Sequence, residues 1–309
     1  MKKFIFGICA ALLMGSVFTG GVSAADSTIK YEIKSVTKAP VADGKISESE
    51  YGGNKPIVLD GSGKNTESGW NKDTNWTGHT YKLYYTWDKT NLYVGVTVEG
   101  EKTGEHLTKK LDDKYCIWGN GDMFQLGFNP GLIIKDVQPL YYCVSFVEDG
   151  QPEIHGDAYQ SETPGYGSSS KYVTDEIKGF TSKYSETGIN YTAELTIPWD
   201  KIFVKGVCRE NQGYKLFDMT GEKAKLGDGY ELPVFFLYRD NTSKTGIRTA
   251  GKDYDYTWNA QDMCPLRLVL KDAKSNVNSS AQTADGTALM ICAMTISAIG
   301  AAVVIKKNH

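Results

Sequence analysis

The chain has 309 residues, of which 23% are charged, and its formal net charge is -3. No basic run interrupts the sequence, which argues against nucleic acid or anionic lipid as a partner. The four histidines are scattered, and Gly-x-Ser-x-Gly, His-Glu-x-x-His, P-loop and Gly-x-Gly-x-x-Gly motifs are absent. An enzyme is therefore not expected, although a glycosidase needs only two carboxylates and leaves no such motif.

The first 25 residues have the pattern of a secretory signal peptide. Two lysines precede an apolar stretch at residues 4–17, and small residues stand at positions 22–24. A membrane-spanning start fits less well, because the apolar stretch is short and interrupted by glycines. The sequence predicts export, with cleavage after Ala24 or Ala25.

Residues 26–272 are predicted to form one domain built from short strands. Stretches with an apolar residue at every second position alternate with Gly, Asn, Asp and Pro. YKLYYTW and LYVGVTV, joined by the turn at residues 88–91, predict a β-hairpin. Further strands are predicted at FQLGF, PLYYCVSFV, YTAELTIPW, YELPVFFLYR and PLRLVL, with a short helical turn after Pro198. Long helical periodicity is absent, so the expected fold class is all-β, an antiparallel β-sandwich resembling a jelly roll.

Four of the six tryptophans of this domain fall into two kinds, whereas Trp70 and Trp76, in ESGWNKDTNW, either extend a binding surface or cap one end of the sandwich. Trp87 continues the inward face of its strand and Trp199 follows a strand-ending proline, so both are expected to pack in the core. Trp118 precedes a strand in the stretch CIWGNGDMFQLGFNP, beside residues that suit turns and cover an indole poorly. Trp258 also stands before a strand in polar surroundings. Each of these two rings is either a lid on the core or a platform for a ligand.

The end of the chain predicts a surface anchor. Residues 273–286 are a polar linker, residues 287–305 carry no charge, and residues 306–309 begin with two lysines. The uncharged run is long enough to cross a bilayer of about 30 Å, with the lysines in the cytoplasm. Residues 281–285 resemble a degenerate sorting signal of a Gram-positive envelope without its Leu-Pro start. Sortase attachment to the cell wall and simple membrane anchoring both stay open, and either gives an extracellular, cell-surface domain.

Four of the six cysteines lie in the exported part. An oxidising exterior permits disulfides, and four cysteines allow three pairings that sequence cannot rank. The four are Cys116, Cys143, Cys208 and Cys264.

Five stretches occur in the order found in family 9 carbohydrate-binding modules. They are PVADGKISESEYG, YKLYYTWDKTNLYVGVTVEG, WGNGDMFQLGFNP, YTAELTIPW and TWNAQDMCPLRLVL. The chain resembles that family over about residues 38–270. The resemblance implies a β-sandwich of the DOMON-like group that binds a plant-type or other glycan, oligosaccharide or polysaccharide, without catalysis. It also implies glycoside hydrolases as partners in glycan degradation.

The same resemblance assigns a role to the two exposed tryptophans. In family 9 modules, the tryptophans that precede these strands clamp a terminal sugar, and Trp118 and Trp258 are the matching positions. A pyranose ring has apolar C–H faces that stack on an indole, whereas its hydroxyls need fixed hydrogen-bond partners.

The polar residues around this clamp depart from the family pattern. Gln125 stands where the family commonly has a glutamate that binds the sugar, and its amide can still donate and accept hydrogen bonds. Cys143 stands where the family can show an arginine and cannot replace it. Asp255 is a replacement acceptor, and Asp122 completes the predicted ligand-binding set.

Structural calcium is a further expectation from the resemblance. The carboxylates Asp43, Glu50, Asp60 and Glu67 lie in the N-terminal loops and are oxygen ligands of the right kind, but they lack EF-hand spacing. They are the candidate metal ligands.

Two other functions remain open from the sequence. A haem-binding DOMON domain would use Met123 and His155 as the nearest ligands. A structural or adhesive surface domain would bind no sugar, and its Trp118 and Trp258 would lie far apart or face the core. Glu194 in YTAELTIPW points away from the core by alternation, and the resemblance implies a structural role for it.

Overall fold

The computed structural model describes residues 29–59, 66–67, 80–101, 123–135, 140–145, 149–152, 154–157, 171–172, 175–183, 189–210, 213–240, 245–248, 264 and 266–273. The predicted signal peptide and the predicted membrane span lie outside these ranges. The chain divides into two units, residues 1–272 and 273–309, and every element named below belongs to the first. No helix within the described ranges is long and apolar enough to cross a bilayer.

Strands dominate the described residues. They are β1 (Ile29–Lys34), β2 (Ile57–Leu59), β3 (Thr66–Glu67), β4 (Thr80–Trp87), β5 (Asn91–Glu101), β6 (Met123–Phe128), β7 (Leu140–Ser145), β8 (Asp149–Gly150), β9 (Ile154–Asp157), β10 (Lys171–Tyr172), β11 (Lys178–Lys183), β12 (Ile189–Pro198), β13 (Lys205–Glu210), β14 (Gly213–Asp218), β15 (Glu231–Asp240), β16 (Thr245–Arg248) and β17 (Leu266–Lys271). The helical elements are short: α1 (Trp199–Ile202) and 3-10 turns at Pro130–Leu132 and Thr220–Lys225. The predicted helical turn after Pro198 is confirmed by α1.

The strands form two large sheets and a hairpin. Sheet A has the order β1-β17-β15-β6-β7-β9-β10, and β16 and β3 extend it beside β15. Sheet B has the order β2-β4-β5-β12-β11-β8, and β13 pairs with β14 alone. The all-β, antiparallel prediction is confirmed for the sheets except at one edge, where β1 pairs with β17 in parallel. That pair joins strands from opposite ends of the domain, so no local sequence pattern predicts it.

The core lies between the two sheets, as the period-two pattern predicts. The inward residues of sheet B face those of sheet A, and the rings of Tyr81 and Tyr238 are 4.4 Å apart between centroids. The four inward positions predicted on each strand of the hairpin are all buried there. They are Tyr81, Leu83, Tyr85 and Trp87 on β4, and Leu92, Val94, Val96 and Val98 on β5.

The turn of this hairpin is held by Asp88. Its carboxylate accepts the N–H groups of Thr90 at 2.7 Å and Asn91 at 2.8 Å, and the hydroxyl of Tyr93 at 2.6 Å. Burial alone would raise the pKa of Asp88, but the hydrogen bonds from Tyr93, Thr90 and Asn91 hold it below its ordinary value. The Trp-Asp pair therefore closes the turn by local hydrogen bonds.

Trp87 and Trp199 are both buried, which confirms their prediction as packing residues. The indole N–H of Trp87 donates to the Ile33 carbonyl at 3.0 Å, and that of Trp199 donates to the Asp88 carbonyl at 2.8 Å. Each ring thus ties the hairpin to another segment of the chain.

We expect Trp87→Ala to lower the free energy of unfolding by about 3–5 kcal/mol, because it leaves a large cavity and removes a buried hydrogen bond. Urea denaturation measures the change. Leu216→Ala is the matched control, because Leu216 is 68% exposed and its truncation should change stability by at most about 0.5 kcal/mol. Equal midpoints for the two variants would contradict the assignment of Trp87 to the core.

Candidate functional site

The outer face of sheet A, turned away from the main core, carries a second buried cluster. We call it the outer cluster; its members are Met123, Tyr141, Cys143, Phe235, Leu237 and Cys264. They alternate with core residues along β6, β7 and β15, because successive side chains of a strand point to opposite faces. The outer cluster contains no charged side chain.

Gln125 lies among these residues, on the opposite side of β6 from Phe124 and Leu126, as the alternation predicts. In register it stands between Cys143 and Leu237. Its Nε2 donates to the Cys143 Sγ at 3.4 Å, whereas its Oε1 has no hydrogen-bond partner among the described residues. The side chain is only 1% exposed. A buried acceptor without a partner costs about 1–3 kcal/mol, so its retention calls for an explanation.

Gly127 shapes the same face by leaving room for an aromatic ring. It stands between Tyr141 and Phe235 in register. A Cβ at Gly127 would lie 1.7 Å from Phe235 Cε1, so the phenylalanine ring occupies the place of the missing side chain. The rings of Tyr141 and Phe235 are 6.3 Å apart and tilted by 60°. These contacts make the floor of the face aromatic and closely packed.

The two tryptophans of the predicted sugar clamp are close in sequence to members of the outer cluster. Trp118, Asp122, Asp255 and Trp258 lie outside the described residues. Met123 follows Trp118 by five residues and Cys264 follows Trp258 by six, and both belong to the outer cluster. Segments of five or six residues span at most about 20 Å. The structure does not describe either tryptophan, so the clamp stays a prediction.

The cysteines of this cluster are present as thiols. Burial raises the pKa of Cys264 to about 12, against a smaller lowering by Arg267. A thiol that is buried and protonated is unreactive. None of the three complete pairings is therefore present, because each of them uses Cys143 and Cys264. The side chains of Cys116 and Cys208 lie outside the described residues, so a disulfide between those two stays untested.

The outer face of sheet B is covered by the segment at residues 36–54. Glu194 on β12 fixes it: the carboxylate Oε2 accepts the N–H groups of Asp43 at 3.0 Å and Gly44 at 2.7 Å. Thr192 Oγ1 donates to the Gly44 carbonyl at 3.2 Å. Tyr51 from the same segment packs on Tyr84, with ring centroids 5.7 Å apart. These contacts give Glu194 the structural role that the resemblance implies.

The carboxyl of Glu194 is an unusual acid. It is 2% exposed, and its Oε1 has no hydrogen-bond partner among the residues described. Burial is the main cause that raises its pKa to about 7. The Gly44 and Asp43 N–H groups oppose this rise, and the Glu50 and Asp43 carboxylates add to it. Burial raises the pKa of Tyr51 well above its ordinary value, and the nearby carboxylates of Glu194 and Glu50 add to the rise. The charged form of Glu194 is therefore disfavoured by the fold.

The candidate metal ligands are only partly described. Asp43 Oδ1 accepts the Lys45 N–H at 3.0 Å and Glu50 Oε1 accepts the Val41 N–H at 2.8 Å. Within the described ranges, no three His, Cys, Asp or Glu side chains are grouped so as to hold a metal ion. Asp60 and the side chain of Glu67 lie outside those ranges. Calcium binding stays a prediction of the resemblance.

The haem hypothesis names Met123 and His155. Met123 is buried in the outer cluster, and β9 places the His155 backbone opposite Cys143 on the same face. The side chain of His155 lies outside the described residues. Haem binding is untested by these contacts.

The chain is similar to known proteins only at the level of solved structures. No family model matches it, and no curated protein matches it. Among solved structures, it is similar to a family 9 carbohydrate-binding module from Caldicellulosiruptor kristjanssonii in complex with cellotriose, at 12% identity and a TM-score of 0.45, covering 80% of this chain and 96% of the other. A family 9 module from the same organism in complex with glucose matches at 12% identity and a TM-score of 0.47. That match covers 81% of this chain and 99% of the other. At this level of similarity the matches carry no argument about the site.

The raised pKa of Glu194 predicts a pH dependence of stability. Its pKa is about 7 in the folded protein against an ordinary value of 4.5, so the folded state holds the proton more tightly. The stabilising contribution is complete below about pH 4.5 and is lost as the pH rises through about 7. Glu194→Gln stays neutral and keeps an acceptor for the two N–H groups. Between pH 5 and pH 8 we expect the wild type to lose roughly 1–3 kcal/mol more unfolding free energy than this variant.

Urea denaturation at both pH values measures the difference. Glu194→Ala is the control for the two hydrogen bonds from Asp43 and Gly44. It removes the acceptor and should therefore be less stable than the wild type at both pH values. Identical pH dependence in the wild type and Glu194→Gln would show that Glu194 does not titrate in this range.

Proposed function

We propose that residues 26–272 form a non-catalytic carbohydrate-binding domain that holds a glycan between Trp118 and Trp258. The observation that supports it is that the segments bearing both tryptophans lead into one cluster on the outer face of sheet A. Two rigid indoles can hold a sugar at low entropic cost, because each has only two torsions to fix. Asp122 and Asp255 are the acceptors that we assign to the sugar hydroxyls.

Gln125 has a supporting role in this proposal. Its amide is 1% exposed, which disfavours direct contact with a sugar in solution. Its free Oε1 can instead hold a bridging water beneath the ligand, and water-mediated hydrogen bonds are common in such sites. Stacking on two rings with a few hydrogen bonds to one or two sugar units is expected to give micromolar to millimolar affinity, about -4 to -8 kcal/mol.

We further propose that the domain acts at the cell surface. The apolar run at residues 287–305 anchors it, either as a membrane helix or after sortase cleavage beside Thr283. A surface location brings a small binding domain to extracellular polymers, where separate glycoside hydrolases can act on the same glycan. A structural or adhesive domain without sugar binding is the alternative.

We expect Trp118→Ala and Trp258→Ala each to lose most of the glycan affinity while keeping the wild-type melting temperature, because neither ring is assigned to the core. Titration calorimetry with soluble oligosaccharides, chosen from a glycan array, measures the affinity. Trp87→Ala is the matched control, since it should lower the melting temperature sharply. If Trp118→Ala melts as poorly as Trp87→Ala, or binds as well as the wild type, the clamp is wrong.

We expect removal of residues 287–309 to release the protein into the culture medium, because the uncharged run is the proposed retention device. Immunoblots of medium, wall and membrane fractions from a Gram-positive host measure the distribution. Full retention of the truncated protein in the membrane fraction would contradict the anchor. In the full-length protein, recovery of an intact C-terminal peptide from detergent extracts would favour the plain membrane anchor over sortase attachment.

A further inference from the structure

Two buried side-chain oxygens on the outer face of sheet B have no hydrogen-bond partner among the residues that the structure describes. They are Oε1 of Glu194 on β12 and Oγ1 of Thr97 on β5. Glu194 is 2% exposed and Thr97 is 7% exposed, so bulk solvent does not supply the partner. Buried polar atoms in proteins are nearly always hydrogen-bonded, and two unsatisfied oxygens on one face therefore call for a common explanation.

The register makes these two residues neighbours. Glu194 pairs with Gly95 and Thr192 pairs with Thr97, so Thr97 and Glu194 are diagonal neighbours on adjacent strands. The Cα atoms of diagonal neighbours are about 7–8 Å apart. Glu194 accepts the N–H of Gly44, and Thr192 donates to the Gly44 carbonyl. Both unsatisfied oxygens therefore lie on the face that the segment at residues 36–54 covers.

The glycine of this group makes room for a third polar side chain. A Cβ at Gly95 would lie 2.7 Å from the Tyr51 hydroxyl oxygen, so the phenol occupies the place of the missing side chain. Burial raises the pKa of Tyr51, and the Glu194 carboxylate adds to the rise, because the phenol and the carboxyl are close together. A carboxyl and two hydroxyls thus meet around Gly95.

The ammonium group nearest in register is committed elsewhere. Lys82 is the partner of Thr97 on β4, and its Nζ lies 2.7 Å from Glu99 Oε1. Glu99 follows Thr97 by two residues on β5, on the opposite side from Gly95. The Lys82 ammonium is thereby drawn away from Glu194.

We propose that one buried water molecule bridges Glu194 Oε1 and Thr97 Oγ1 and helps to hold the segment at residues 36–54 against sheet B. The Thr97 hydroxyl donates to the water, and the water donates to Glu194 Oε1. Buried waters typically make two to four hydrogen bonds to polar groups that are otherwise unsatisfied. Two hydrogen bonds of about 2.8 Å join oxygens that are about 5 Å apart, which suits diagonal neighbours. The site is independent of sugar binding.

The competing explanation is that the Thr97 hydroxyl is simply left unsatisfied. The two explanations predict effects of opposite sign. Replacing an unsatisfied buried hydroxyl by a methyl group is neutral or stabilising, whereas removing one partner of a bound water is destabilising. The direction of the change in stability therefore separates them.

The experiment compares the full chain with Thr97→Val and Thr97→Ser by thermal melts and by hydrogen exchange of the Gly44 amide. We expect Thr97→Val to lower the melting temperature by about 2–4 °C and to speed Gly44 exchange about tenfold. Thr97→Ser keeps the hydroxyl and should exchange at the wild-type rate. Thr196→Val is the matched control, because Thr196 is half-buried on the same face of β12, and it should change neither quantity. An unchanged or raised melting temperature in Thr97→Val overturns the water site.

A double-mutant cycle tests the link to Glu194. In the Glu194→Ala background the water has lost its acceptor, so Thr97→Val should no longer lower the melting temperature. An equal loss in both backgrounds overturns the bridge. If Glu194→Ala does not fold, a crystal structure of the wild type decides the matter. Electron density for a water within hydrogen-bonding distance of both oxygens supports the proposal, and its absence overturns it.

Discussion

The hydrogen bonds from the Asp43 and Gly44 N–H groups to the Glu194 carboxylate are the constraint on which the arrangement of the domain depends. They join two stretches separated by 150 residues and bury a carboxyl that would otherwise be solvated. Gly95 stands opposite Glu194 in register, and a Cβ there would lie 2.7 Å from the Tyr51 hydroxyl. The glycine therefore lets Tyr51 cover the acid. This packing covers the outer face of sheet B, and the outer cluster on sheet A is buried as well.

The motifs that resemble the family divide between the two sheets according to physical role. The Asp-Gly loop, the Trp-Asp turn and the Ile-Pro-Trp stretch meet around sheet B, where Trp199 donates to the Asp88 carbonyl and Glu194 accepts from the loop. Each of these contacts satisfies a buried polar group, which is a structural requirement. The two stretches that contain Trp118 and Trp258 lead instead to sheet A. Motifs that resemble one family thus serve stability at one face and are proposed to serve binding at the other.

The sequence predicts the local parts of this structure and misses the long-range ones. The hairpin, its inward residues and the burial of Trp87 follow from alternation and turn chemistry, which act over a few residues. The parallel pairing of β1 with β17 and the partners of Glu194 depend on which distant segments meet, and a single strand's pattern does not contain that information. For the same reason, the sequence places Gln125 on the outer face but gives no sign that it is buried. Thr97 and Glu194 become neighbours only once the register is known.

Glycine alone does not mark a ligand site on the outer face of sheet A, as Gly127 illustrates. At Gly127 the missing side chain is replaced by the ring of Phe235, so packing explains that glycine completely. A glycine whose missing side chain is replaced in this way by a neighbouring ring closes the packing of its face and gives no sign of a ligand.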